Sequence, residues 1–266
     1  MGPGAKLAWL VLAMVATPAA AQDRDLCPNR PGLGTPACTV DKGRVMVETD
    51  VADWTRDDNA DARVDTVLIG DTLVRMGVSD HIELQLGWTP FGHQRQRDRA
   101  SGVVDVADRV GDAIFGTKVN WAGADGKGFA GAVQVQVMVP AGRTPIGAGD
   151  WGASLVLPLS YELPNGLSLQ ASPEIDAAVD ADGQGRHAAW GGTLGLGFAL
   201  TDDLSAGVET QLVRDEDPAG HTTRALAGAS LAWQRGKDLQ LDLGMNLGLN
   251  RDSSDVQLYA GVSRRF

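Results

Sequence analysis

The stretch Leu239-Gln240-Leu241-Asp242-Leu243-Gly244-Met245-Asn246-Leu247-Gly248-Leu249-Asn250 decides the fold. Every odd-numbered position is apolar, and every even-numbered one is polar or glycine. A helix would spread these side chains around its axis, whereas a strand sends alternate residues to opposite faces. The segment therefore reads as a strand with one face in apolar surroundings and the other in water.

The rhythm recurs along the chain. Val133, Val135, Val137 and Val139 alternate with Gln134, Gln136 and Met138, and Leu167, Leu169, Ala171, Pro173 and Ile175 alternate with Ser168, Gln170, Ser172, Glu174 and Asp176. The pattern predicts strands near 44–54, 64–76, 81–89, 110–121, 129–140, 150–162, 167–178, 188–200, 204–214, 223–234, 239–250 and 255–266. Tight connections at 77–80, 163–166, 201–203 and 235–238 alternate with longer polar ones at 55–63, 90–109, 141–149, 179–187 and 215–222. Residues 122–127 form a middling member of the tight set, and 251–254 a short member of the outer one.

A soluble sandwich has no reason to sort its turns this way. A transmembrane β-barrel does, because one end carries short periplasmic turns and the other projects outer loops. The expected fold class is thus all-β: a closed antiparallel transmembrane β-barrel of about 12 strands over residues 44–266. A closed barrel also leaves no strand edge unpaired in lipid. Its apolar face should meet outer-membrane lipid. Its lumen should hold Glu48, Glu83, Lys118, Glu174, Asp176, Glu209, Asp242 and Arg265, since a cation turned to lipid at mid-depth costs a few kcal/mol. Trp54, Trp88, Trp121, Trp151, Trp190 and Trp233 fall near strand ends, where interfacial belts place indole rings.

The other end of the chain fits an exported protein. Residues 1–21 carry one cation, Lys6, then the apolar run Leu7 to Ala16, then Pro18 and Ala19-Ala20-Ala21. That is the layout of a secretory signal peptide cleaved before Gln22. The apolar run is well short of the ~20 residues a spanning helix needs. Residues 22–43 then form an N-terminal periplasmic segment. It holds Cys27 and Cys38, the two cysteines of the sequence, which an oxidising compartment would join as a disulfide. A metal site is the weaker alternative, because two thiolates without nearby histidine fall short of a four-ligand set.

The 266 residues carry a formal net charge of -11, which argues against nucleic acid as a partner, since phosphate binding needs clustered cations. The final strand, Val256, Leu258, Ala260 and Val262, ends on Phe266, as barrels recognised by the outer-membrane assembly machinery do; Arg264 departs from the apolar residue usual there.

At Cys27 to Val40, through Pro28-Asn29-Arg30-Pro31-Gly32-Leu33-Gly34-Thr35-Pro36, and on into the strand with Val47, Glu48 and Trp54, the sequence resembles a proteobacterial group. This is the MetA-pathway of phenol degradation family of outer-membrane transporters. Met76-Gly77-Val78-Ser79-Asp80-His81-Ile82-Glu83 and the set Gly111, Asp112, Gly116 and Lys118 extend the resemblance. It implies an outer-membrane channel for passive uptake of small compounds, aromatic or apolar ones among them, with no cofactor.

Other chemistry is weakly marked. His81, His93, His187 and His221 lie in or beside turns and loops, and a pair such as histidine with Ser101 or Ser172 would make a barrel hydrolase. No nucleophile elbow accompanies them. Gly191, Gly192, Gly195 and Gly197 lie within one strand pattern and open no helix, so they form no phosphate cradle. Asp57, Asp58 and Asp61 lack the spacing of a calcium loop. A structural or adhesive barrel with a plugged lumen, or a soluble periplasmic β-domain, stands as the non-transport alternative. Glu174, Asp176, Glu209 and Asp242 are expected either to bias the lumen toward cations or to pair with Lys118, Arg214 or Arg265. The longest loop, 90–109, with Arg95, Arg97, Arg99 and Arg109, is expected to fold inward as a constriction.

Overall fold

The computed structural model describes residues 24–266; the expected signal peptide lies outside the described residues. Sixteen strand segments make one antiparallel sheet. They are β1 (Val45–Asp58), β2 (Ala62–Ile69), β3 (Thr72–Gly77), β4 (Ile82–Trp88), β5 (Phe91–Asp98), β6 (Val104–Arg109), β7 (Ala113–Ala122) and β8 (Phe129–Val139). There follow β9 (Gly152–Val156), β10 (Leu159–Leu163), β11 (Leu167–Val179), β12 (Arg186–Ala199), β13 (Leu204–Asp215), β14 (Thr222–Arg235), β15 (Leu239–Gly248) and β16 (Val256–Arg265).

Four pairs, β2 with β3, β4 with β5, β6 with β7 and β9 with β10, are single passes of the chain interrupted by a bend, so the wall has twelve legs. Each bend coincides with a glycine or a proline, Gly70, Pro90, Gly111 and Pro158: proline lacks the N–H a ladder needs, and Gly70 takes a left-handed φ of +73°. β1 answers the first bend with a bulge between Asp50 and Ala52, pairing with β3 below it and β2 above it. β16 pairs back onto β1, and the N–H of Phe266 donates to the carbonyl of Val45 at 2.8 Å, which closes the barrel.

The two faces separate as the alternation requires. Leu243 is 55% exposed on the outside, while its neighbour Asp242 is 6% exposed on the inside. Leu241, Met245 and Leu247 join Leu243 outside, and Gln240 and Asn246 join Asp242 inside. In a soluble protein this would be inside out. Here the apolar face is the lipid surface and the polar interior needs no lipid-like core. Trp88, Trp121, Trp151, Trp190 and Trp233 are all exposed, as rings of an interfacial belt are.

One expectation is corrected. Residues 90–109 do not fold inward; they extend two legs outward as the β5–β6 hairpin, with β5 paired to β2. Arg95, Arg97 and Arg109 are exposed on it, and Arg99 pairs with Asp58 at the outer end of β1. A strand wetted on both faces has no apolar side and so looks like a loop in sequence. The segment that leans over the interior is 140–151. Asp112 fixes it by accepting the N–H groups of Gly142, Ala148 and Gly149 at 2.8, 2.6 and 3.2 Å. Ile146 sits against the inward position of Gly92.

Candidate functional site

Inward-facing polar side chains need partners once water is excluded. Many of them are matched by the polypeptide that precedes β1. Residues 24–43, pinned into a loop by the Cys27–Cys38 disulfide, run across the barrel interior.

The backbone of this segment is read by the wall. The N–H of Arg30 donates to Glu48 Oε2 at 3.0 Å, and those of Leu33 and Gly34 donate to Glu209 Oε2 and Oε1 at 2.6 and 3.1 Å. Thr35 exchanges two bonds with Ser172, both at 3.0 Å. The N–H of Val40 donates to Glu83 Oε2 at 2.8 Å. Lys118 Nζ donates to Asn29 Oδ1 and to the carbonyl of Pro36, both at 3.0 Å. These contacts come from β1, β4, β7, β11 and β13, which surround the segment. Gly32 is required: its φ of +123° suits glycine alone, and a Cβ there would strike Glu209.

The segment also contributes charge. Arg30 spans the interior between Asp50 of β1 and Asp242 of β15, the latter at 2.9 Å. Asp41 meets Arg265 of β16 at 2.8 Å and Arg24 at 3.3 Å. Beneath it, Arg75 binds Glu48 at 2.9 Å and Glu83 at 2.8 Å, all three fully buried, with Lys118 3.6 Å from Glu83. At the rim, Lys127 Nζ lies 3.0 Å from Asp25 Oδ2, and this bond holds the ammonium above its usual range.

Of the positions expected in the lumen, Glu48, Glu83, Lys118, Glu209, Asp242 and Arg265 are buried, and each touches this segment or the ion pairs under it. Glu174 and Asp176 stand apart in the loop-side half, near Arg224. Asp242 takes Arg30 and Glu209 takes backbone N–H groups, whereas Arg214 binds Glu216 at 2.7 Å. Arg75, Arg30, Asp50 and Asp41 escaped the sequence reading. Arg75 carried a findable signal: it shares inward parity with Glu83 across the tight turn at 77–80.

The segment divides the interior. On the tight-turn side a cavity of about 490 Å³ is bordered by Pro31, Ser168, Gln170 and Glu209. On the loop side a cavity of about 380 Å³ is bordered by Glu174, Gln211, Arg224 and Gln257. A smaller one of about 250 Å³ between β7, β8, β9 and β11 is more apolar, with Ile114, Met138 and Ala178 on its wall.

Of the residues of the hydrolase alternative, His93, His187 and His221 each face a carboxylate, and both serines donate hydrogen bonds. His93 contacts Asp108 at 2.7 Å, His187 contacts Asp180 at 2.8 Å and His221 contacts Glu216 at 2.9 Å. Ser101 Oγ donates to Asp98, and Ser172 Oγ to the carbonyl of Thr35.

A closed twelve-leg wall, apolar outside and ionic within, defines a transmembrane β-barrel of the outer-membrane type. Over residues 28–266 the sequence matches the family described as "Putative MetA-pathway of phenol degradation", and the chain belongs to it. No curated protein matches the chain. Among solved structures it is similar to the COG4313 outer membrane channel from Pseudomonas putida F1, with a TM-score of 0.70 at 13% identity, covering 89% of this chain and 99% of that one. The transport unit of the autotransporter AIDA-I from Escherichia coli gives 0.56 at 7% identity, covering 84% and 89%. The NanC porin gives 0.51 at 10%, covering 83% and 98%. At these identities the shared property is the barrel fold.

Proposed function

We propose that the protein is an outer-membrane channel of a Gram-negative bacterium for the passive uptake of small compounds, with residues 24–43 as its resident barrier on the periplasmic side. The observation that carries this reading is the ionic interior crossed by a segment with cavities on both sides of it. Export through a cleaved signal peptide and insertion by the barrel assembly machinery, with Phe266 at the recognised strand end, belong to the same reading. The lumen-lining set is Glu48, Glu83, Lys118, Glu174, Asp176, Glu209, Asp242 and Arg265.

The solute class is small aromatic or apolar compounds. The family's description supports it, as does the apolar cavity beside Ile114 and Met138. Glu174, Asp176 and Asp50 give the path an acidic wall, so small cations should carry the background current.

The test is recording in planar bilayers. Discrete current steps, interrupted when a small aromatic alcohol is added, are the expected result. The many bonds between segment and wall favour one rival, a permanently shut structural barrel. A silent bilayer, with the wild type and with a Glu209→Ala variant, would establish that rival and end the transport reading.

A further inference from the structure

At the loop end of the barrel, above Asp176, three side chains converge from two outer connections and the start of a strand. Asp180 follows β11 directly, His187 is the second residue of β12, and Asp217 lies in the connection after β13. His187 Nδ1 is 2.8 Å from Asp180 Oδ1 and 3.5 Å from Asp217 Oδ2. One donor atom from each of the three residues fits within a span of 4.8 Å. We propose that Asp180, His187 and Asp217 form a binding site for a divalent transition metal of the Zn²⁺ type, which ties the β11–β12 and β13–β14 connections together.

Three independent features point to a cation rather than to hydrogen bonds alone. First, one ring nitrogen faces two carboxylates, and a single N–H satisfies only one of them. The 3.5 Å between Nδ1 and Asp217 Oδ2 is the separation of two ligands ~2.0–2.2 Å from a tetrahedral ion, and Asp180 Oδ1, now at hydrogen-bond distance, would have to draw back by about half an ångström to complete the set. Second, the ring is 6% exposed, and its other nitrogen, Nε2, lies 2.8 Å from Asp215 Oδ1 without a correctly directed hydrogen bond. The cluster thus holds three partly buried carboxylates around one imidazole, an excess of negative charge. A carboxylate beside the far nitrogen of a ligating histidine is also the usual outer support of such sites.

Third, the donors are held before any ligand arrives. Asp217 accepts the N–H groups of Ala219 and Ala181, both at 2.7 Å, leaving lone pairs on its oxygens for a cation. Gly185, with φ +113°, leaves room for the Asp180 carboxylate, which a Cβ at that position would strike. Imidazole among the donors favours Zn²⁺ and its neighbours over Ca²⁺ or Mg²⁺, which prefer all-oxygen sets. With three protein donors, a fourth position is left for water.

The test uses the folded, detergent-solubilised chain, stripped with a chelator and titrated with ZnCl₂ by calorimetry. One Zn²⁺ per chain is expected, with affinity reduced by ~10-fold or more in His187→Gln and in Asp217→Asn. Asp58→Asn, at the outer end of β1, should leave binding unchanged. Heat-modifiable migration on a gel confirms that each variant is folded.

A second measurement needs no variant. Zn²⁺ should protect His187 of the unaltered protein from carbethoxylation, read by mass spectrometry. The assignment is overturned if the wild type binds no Zn²⁺, if His187→Gln binds it equally well, if Ca²⁺ competes on equal terms, or if the modification of His187 ignores the metal.

Discussion

Arg75 Nε and Nη2 donate to Glu83 Oε1 and Oε2, both at 2.8 Å, so guanidinium and carboxylate meet as a planar fork in a fully buried place. Glu48 completes the group from β1 at 2.9 Å from Arg75 Nη1. An ion pair of this kind is costly to break from one side, because the remaining charge is stranded without water. Arg75→Leu should therefore destabilise the barrel by ~3–5 kcal/mol, measured by urea unfolding in lipid vesicles. Combining it with Glu83→Gln should recover part of the loss. A single variant as stable as the wild type would show that the group carries little of the interior's stability.

The lipid face makes an independent prediction. Leu243 is exposed near the middle of β15. Leu243→Arg should cost ~2–4 kcal/mol of folding free energy in a bilayer, whereas Leu243→Phe should be nearly neutral. Equal stabilities for the two variants would contradict a mid-membrane position.

Arg30 sets the balance of charge where the segment crosses the interior. Its removal leaves Asp50 and Asp242 without their shared partner. Arg30→Ala should shift selectivity toward cations, seen as a more cation-like reversal potential under a KCl gradient. An unchanged potential would place the ion path elsewhere.

The grip on the segment is testable through Glu209 and the disulfide. Glu209 accepts two backbone N–H groups, and the Cys27–Cys38 bridge keeps those groups in one compact loop. Glu209→Ala, or reduction of the bridge, should raise the frequency or size of current steps without changing heat-modifiable migration. The reverse outcome, fewer openings, would mean that the segment props the path open.

Asp112 should prove to be the clasp of the loop 140–151. Charged acceptors with backbone donors are worth ~1.5–3 kcal/mol each, and this carboxylate accepts three. Asp112→Ala should speed proteolysis within 141–149 several-fold while leaving cleavage of the 179–187 loop unchanged.

The sequence disclosed those parts of the fold in which the two faces of a strand meet different media. Leu239 to Asn250 separates lipid from interior at every residue, so strand, facing and membrane residence were all legible. β5 and β6 lie beyond that contrast: His93, Gln94, Arg95, Gln96 and Arg97 form a strand wetted on both sides, and no period-two hydrophobicity betrays it. Within the candidate site, the wall half was legible for the same reason, because a charge on an inward parity must face the interior. The other half was not. Arg30 and Asp41 lie in a Pro- and Gly-rich stretch whose backbone pattern says nothing about where it goes, and their partners are far along the chain, Asp242 being 212 positions from Arg30. Leu73 and Met46, apolar yet inward beside Arg75, blurred the parity that would have revealed it.

The bonds made by Arg265 bear on how the molecule resists being unzipped. A β-barrel opens most readily along the line where its final strand meets its initial one, here β16 against β1. Arg265, at the tail of β16, is fastened from within to Asp41, to the carbonyl of Arg24 and to Asp238, each at 2.8 Å. To part that line, the chain must first surrender a rivet driven through the hollow behind it.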